Sequence, residues 1–134
     1  MEEPFVGSEA IAQGALTKSQ LSTRYRRLFR DVYIDPDVEL TAVSRVTAGW
    51  LWSGRRGIVA GFSAAALHGS KWVEVNRAVE LVHDNRHHLP GIQIRGDRLE
   101  NDEIEIVDDI PVTTPARTAL DLGCWYPTMT AVAG

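Results

Sequence analysis

The sequence predicts an α+β protein, an N-terminal helix-turn-helix module packed on a small mixed α/β domain with a mainly antiparallel sheet. Three observations predict it. Apolar residues recur at helical spacing as far as His68, the pattern turns extended beyond Trp72, and two short helices near the N-terminus meet at a glycine. The chain has 134 residues, 44% hydrophobic and 24% charged, enough for one compact domain or a small module docked on a larger one. Its formal net charge is -4, so it does not attract polyanions as a whole, and a nucleic-acid role needs a local patch.

Taking the elements in order, Ser8 is placed to cap a helix over residues 9–13, since a serine oxygen accepts from free first-turn amides, and Gly14 supplies the turn that stops it. Thr17 caps the next helix. From Lys18 onward Leu21, Tyr25, Leu28 and Phe29 share one face, and the chain is expected to become a short strand from about Phe29, where Val32, Tyr33 and Ile34 favour an extended backbone. Asp35-Pro36-Asp37 makes a turn. Residues 1–36 form the N-terminal module and residues 37–134 the α/β domain.

A third helix is expected over residues 39–53, with Leu40, Val43, Val46, Trp50 and Leu51 as its apolar stripe. Trp52 lies on the other side, either partly exposed or facing a partner. Residues 54–57 turn, residues 58–60 form a buried strand, and Ser63 caps a helix over residues 64–68 that Gly69 ends. Strands follow at residues 78–83, 92–95, 103–107 and 111–113, separated by Asp-Asn, Pro-Gly, Gly-Asp and Asp-Asp turn signals. Thr114-Pro115 starts a helix that runs to about Leu122, where Gly123 ends it. Residues 127–134 read as a further helix of barely two turns, too short to hold itself, so the α/β domain is expected to be truncated at its C-terminus.

The chemistry concentrates near the N-terminus. Between Gly14 and Arg30 there are five basic residues and no acid. With Leu21, Tyr25 and Leu28 turned inward, Lys18, Ser19, Gln20, Thr23, Arg24, Arg26 and Arg27 occupy the opposite face, and Arg30 sits on the following strand as a small wing. Arginine and lysine neutralise phosphates, hydroxyls and amides position or read base edges, and a short helix after a tight turn is the element that enters a major groove. These eight are the candidate DNA-binding residues, with double-stranded DNA as the partner. The ordinary alternative is a solvated basic face on a structural helix.

Other constellations are weaker. His83-Asp84-Asn85-Arg86-His87-His88 lacks a recognised ligand spacing, so no metal is expected. Glu103, Glu105, Asp108 and Asp109 read as a solvated strand face and turn. No lysine stands at the spacing of a restriction-type nuclease core: Lys18 comes two after Leu16, and Lys71 two after Gly69. Gly61-Phe62-Ser63 lacks the second glycine of a nucleophile elbow. No enzyme activity and no cofactor are expected. Arg117 and Asp121, four apart, pair on their helix surface. The single Cys124 excludes an internal disulfide and a cysteine-rich zinc site, and no segment has the length of a membrane span, so a cytoplasmic location is expected.

The order of a helix pair over residues 7–27, Val32-Tyr33-Ile34, then Gly61-Phe-Ser-Ala-Ala-Ala-Leu-His-Gly69 and Pro111-Val-Thr-Thr-Pro-Ala-Arg-Thr-Ala-Leu-Asp-Leu122 resembles actinobacterial proteins of the AbiEi antitoxin type, which belong to type IV toxin–antitoxin systems. The resemblance covers nearly the whole chain. It implies an N-terminal winged-helix DNA-binding module, repression of its own operon and a nucleotidyltransferase toxin as counterpart. Some relatives continue into a short-patch-repair-like endonuclease domain, and no such domain is expected here. A homodimer fits two half-sites. The readings from other classes are a protein-interaction module docking through Trp52 and the short final helix, and a non-functional remnant of a larger nuclease-containing protein.

Overall fold

In the computed structural model, which describes residues 3–84 and 89–127, the chain opens with β1 (Phe5–Val6), α1 (Gly7–Ala12), α2 (Lys18–Arg24), β2 (Arg26–Phe29) and β3 (Val32–Ile34). β3 lies between β1 and β2 and is antiparallel to both. The remainder is α3 (Ala42–Trp52), β4 (Ile58–Val59), α4 (Gly61–Leu67), β5 (Val79–Val82), β6 (Ile92–Arg95), a 3-10 turn at Asn101–Glu103, β7 (Ile104–Val107), β8 (Ile110–Thr113) and α5 (Pro115–Trp125). The chain is therefore mixed α+β, as its sequence predicts.

The second sheet has the order β6-β5-β4-β8-β7. β4 is antiparallel to β5 and parallel to β8, β5 and β6 are parallel, and β7 and β8 are antiparallel. This evenly mixed pairing corrects the expectation of a mainly antiparallel sheet. Turn signals between β5 and β6 suggest a hairpin, but β6 runs parallel to β5.

α3 packs against all three strands of the first sheet and against β4 and β5 of the second. Phe29 and Val32 from the first sheet join Val46, Ala48 and Leu51 of α3 and Val59, Leu81 and Val112 of the second in one buried cluster. The helix starts at Ala42, later than expected, because Thr41 and Ser44 close a reciprocal capping box. Its buried stripe is also shifted. Val43 is exposed, whereas Ala48 and Gly49 are buried, and a Cβ on Gly49 would come within 2.7 Å of the Val79 side chain. Trp52 is half-buried and packs against the core cluster, in line with the first of its two readings, a partly exposed side chain.

Two serines expected to cap helices do something else. α1 starts at Gly7, and its leading amides are held from across the fold: Gly7 N donates to the Asp31 carbonyl at 2.8 Å and Ser8 N to Asp31 Oδ1 at 2.9 Å. Ser63 lies inside α4, where its hydroxyl accepts from Glu80 N at 2.9 Å, while Glu80 Oε1 accepts from Phe62 N at 3.0 Å. In both places a distant carboxylate replaces the local cap, satisfying the amides that a helix start leaves open.

α5 begins as its sequence predicts, with Pro115 in the first turn and the Thr114 hydroxyl accepting from Arg117 N at 3.3 Å. It then passes through Gly123 to Trp125. The extension has a tertiary cause: the Arg95 guanidinium lies 3.9 Å from the Trp125 ring centroid, and the Tyr126 hydroxyl donates to Glu80 Oε2 at 3.0 Å. Burial and the neighbouring Glu80 carboxylate push the Tyr126 phenol up, keeping it a neutral donor. The expected final helix at residues 127–134 lies outside the described residues, apart from Pro127.

Candidate nucleic-acid interface

α2 is short, and its start is fixed by the Thr17 cap: Thr17 Oγ1 accepts from Gln20 N at 3.1 Å, and Gln20 Oε1 accepts from Thr17 N at 3.0 Å. Leu21 is its buried anchor. It rests on Gly7, where an added Cβ would lie 2.6 Å from Leu21 Cδ2 and 2.8 Å from the Tyr33 ring, so α1 and α2 meet at a point that has no room for a side chain. Gly14, at φ +75°, makes the turn between the two helices. Replacing Thr17 with Ala is expected to cost about 1 kcal/mol of stability. Urea denaturation of the two proteins checks this, and an unchanged midpoint would contradict it.

The outer face of α2 presents Lys18, Ser19, Thr23 and Arg24 to solvent, with Gln20 half-buried. Thr23 Oγ1 donates to the Ser19 carbonyl at 2.8 Å, which fixes its rotamer and leaves its methyl group and oxygen lone pair outward. Gln20 is constrained differently, since its Oε1 belongs to the cap and its amide nitrogen is the group left for recognition.

Arg26 and Arg27 require a correction. They were expected on the helix beside Arg24, but α2 ends at Arg24, Tyr25 is extended, and both arginines lie on β2. The cause is tertiary. The Tyr25 ring packs edge-on against Phe5 at 5.1 Å, and β2 finds a partner in β3. Strand alternation then sends the two side chains to opposite faces. Arg27 pairs with Tyr33, whose ring faces Phe5 and Gly7 on the α1/α2 side. Arg26 pairs with the buried Ile34, on the side that α3 covers. Thus Arg27 stays with the α2 face and Arg26 leaves it.

Arg30 is also repositioned. It occupies the two-residue turn between β2 and β3, not a strand, and is followed by Asp31 at φ +62°. Asp31 clamps this hairpin to α1 through its carbonyl and carboxylate. The turn carrying Arg30 is thereby tied to the start of α1. Lys18, Arg24, Arg26, Arg27 and Arg30 are all exposed, and among the described residues none of them forms an ion pair.

Several charged residues elsewhere in the chain contrast with that patch, because they pair. Arg55 reaches Glu9 through two hydrogen bonds of 2.6 and 2.8 Å. Arg117 bonds Asp121 at 2.8 Å and Glu103 at 2.9 Å and lies 3.7 Å from Asp97, so the expected surface pair is a four-residue network around a carboxylate only 3% exposed. Of the carboxylates read as a strand face and turn, Glu103 belongs to this network, Glu105 lies 3.5 Å from His68 Nδ1, and Asp108 and Asp109 form the β7–β8 turn. Among the described residues, no group of three or more His, Cys, Asp or Glu is gathered as a metal site would need. In the histidine-rich run, residues 85–88 lie outside the described residues. Among the described residues, no helix is long and apolar enough to cross a membrane.

Comparison of the chain with protein-family models, curated proteins and solved structures gave no match. The site therefore has to be read from its own geometry.

Sequence reasoning missed two residues that shape this surface. Asp31 has a local signal, an aspartate in a tight hairpin turn where a left-handed backbone is tolerated. Arg45 on α3 has none, because its place beside β2 depends on how α3 crosses the first sheet.

Proposed function

We propose that the chain is a DNA-binding transcriptional regulator of the AbiEi antitoxin type, repressing its own operon as counterpart to a nucleotidyltransferase toxin. The observation that carries the DNA-binding part is the unpaired state of the cations in residues 18–30, in a protein whose other described arginines so often meet carboxylates or rings. Lys18, Arg24, Arg27 and Arg30 on this helix and hairpin make a surface complementary to a phosphate backbone.

The connectivity supports a winged-helix reading. β1, α1, α2, β2 and β3 in sequence, with β3 central in the sheet, put a helix-turn-helix directly before a hairpin. α2 is about 10 Å long at 1.5 Å per residue, which suits a major groove about 12 Å wide. In this reading α2 is the recognition helix: Ser19, Gln20 and Thr23 face base edges, Lys18, Arg24 and Arg27 meet phosphates, and the Arg30 turn is the wing. Two copies on a palindromic operator would multiply the modest affinity of one short helix. The toxin counterpart and the antitoxin role rest on the sequence resemblance alone.

Electrophoretic mobility shift with the DNA upstream of the gene tests this. The protein is expected to shift that duplex in preference to a scrambled one. Arg24→Ala with Arg27→Ala is expected to weaken binding by about tenfold or more, because a side chain that neutralises a phosphate supports affinity irrespective of sequence. Binding unchanged by the double substitution would remove α2 and β2 as the interface.

A further inference from the structure

Arg26 leaves the α2 face, but it does not point into empty surroundings. On the α3 side of β2 it shares a face with Phe29, and the Arg45 guanidinium lies over that ring, 5.5 Å from its centroid, with Arg45 Nη2 directly against Gly91, 2.7 Å from where a Cβ would be. Arg45 is half-buried, and its Nε is shielded from solvent without a hydrogen-bond partner. No carboxylate pairs with either arginine among the described residues. Burial, and after it the positive charge of Arg26, lower the Arg45 pKa from its ordinary value, although arginine remains charged at neutral pH.

Two cations on one face of β2 that pair with no carboxylate among the described residues repel each other in the free protein, and an anion bound at that face relieves the cost. The fixed planar donors of a guanidinium match the oxygens of a phosphate. Phe29 and Gly91 hold the Arg45 plane, so little freedom is lost when it binds. β2 is an edge strand of its sheet, so side chains on both of its faces reach the same rim. Arg26 is two residues beyond the last residue of α2, which makes the pair continuous with the proposed DNA surface.

We infer that Arg26 and Arg45 form a second phosphate-binding site, taking a backbone phosphodiester of the same DNA that α2 engages. This inference rests on the DNA-binding reading above and extends its footprint from the first 36 residues to α3. The contact carries no sequence information; it lengthens the backbone track and sets the angle at which the protein lies on the duplex.

The test is fluorescence anisotropy of a labelled duplex with the intact chain across a salt series, comparing Arg45→Gln, Arg26→Gln and, as a control for a charge removed elsewhere, Arg98→Gln. Each of the first two is expected to make the slope of log K against log salt shallower by about 0.9, equally on operator and scrambled DNA, while Arg98→Gln leaves it unchanged. Circular dichroism and melting of each variant confirm folding, and the exposed Arg26 supplies the result if Arg45→Gln unfolds. Wild-type binding with an unaltered slope in the variants, or an equal change in Arg98→Gln, would overturn this inference and leave the α2 reading standing; no salt-dependent binding by the wild type would overturn both. Inorganic phosphate at matched ionic strength separates the source. Saturable stabilisation by phosphate that Arg45→Gln abolishes, with an unaltered DNA slope, would assign the site to a free anion instead.

Discussion

Replacing Arg117 with Leu is expected to lower the unfolding free energy by about 3 kcal/mol at pH 7, because it strands a buried carboxylate whose partner has gone. Arg117 joins Asp121, Glu103 and Asp97, and Asp121 is only 3% exposed. The pH dependence follows from how these acids are perturbed. Burial raises the Asp121 pKa and Arg117 draws it back down; the Glu100 amide, followed by Arg117, holds Glu103 below the usual carboxylate range. A raised folded pKa means Asp121 costs stability once ionised, as pH climbs through its unfolded value. A depressed one means Glu103 contributes stability above its unfolded value and loses it as pH falls. Removing Arg117 moves both upward, so the deficit is largest at neutral pH and shrinks through the carboxylate range. Urea denaturation at pH 7 and pH 4 checks this, and equal deficits at the two pH values would contradict the network.

Replacing Gly61 with Ala is the second change with a large expected effect, about 3 kcal/mol and about 10 °C in melting temperature. Gly61 has φ +58°, which by itself costs an L-residue about 1–2 kcal/mol. An added Cβ would also fall 2.8 Å from Glu80 Cδ and both of its carboxylate oxygens. Those oxygens are not free to retreat, since Phe62 N, Tyr126 Oη and Arg95 Nη2 donate to them at 3.0, 3.0 and 3.3 Å. Gly14→Ala provides the comparison. Its φ is +75°, but nothing lies within 4 Å of an added Cβ, so it should lose only the backbone part. Similar melting temperatures for the two variants would mean that Glu80 is not held as described.

Local signals in the sequence recovered the parts of the fold that local forces decide. Thr17 and Thr114 cap because their hydroxyls need only amides three residues away. The strands at residues 92–95 and 111–113 appear within a residue of where alternation and turn residues put them. What stayed hidden depends on contacts distant in sequence. Arg26 and Arg27 look helical until Tyr25 meets Phe5 and β3 claims the chain. Ser8 and Ser63 look like caps until Asp31 and Glu80 arrive from across the fold. Gly123 looks like a stop, yet Trp125 and Tyr126 are tethered beyond it. The candidate interface was legible in composition, as cations without acids, but its division between two faces of β2, and the presence of Arg45, follow only from the packing of α3.

The measurement that bears most directly on the DNA-binding claim is the salt dependence of the intact protein's affinity for the duplex upstream of its gene. If the exposed cations of α2, β2 and the Arg30 turn meet phosphates, log K should fall linearly with log salt at a slope of about -3 to -5, as several counterions are released. A flat dependence, or no measurable binding at low salt, would contradict the account and leave the cations of residues 18–30 as a solvated surface.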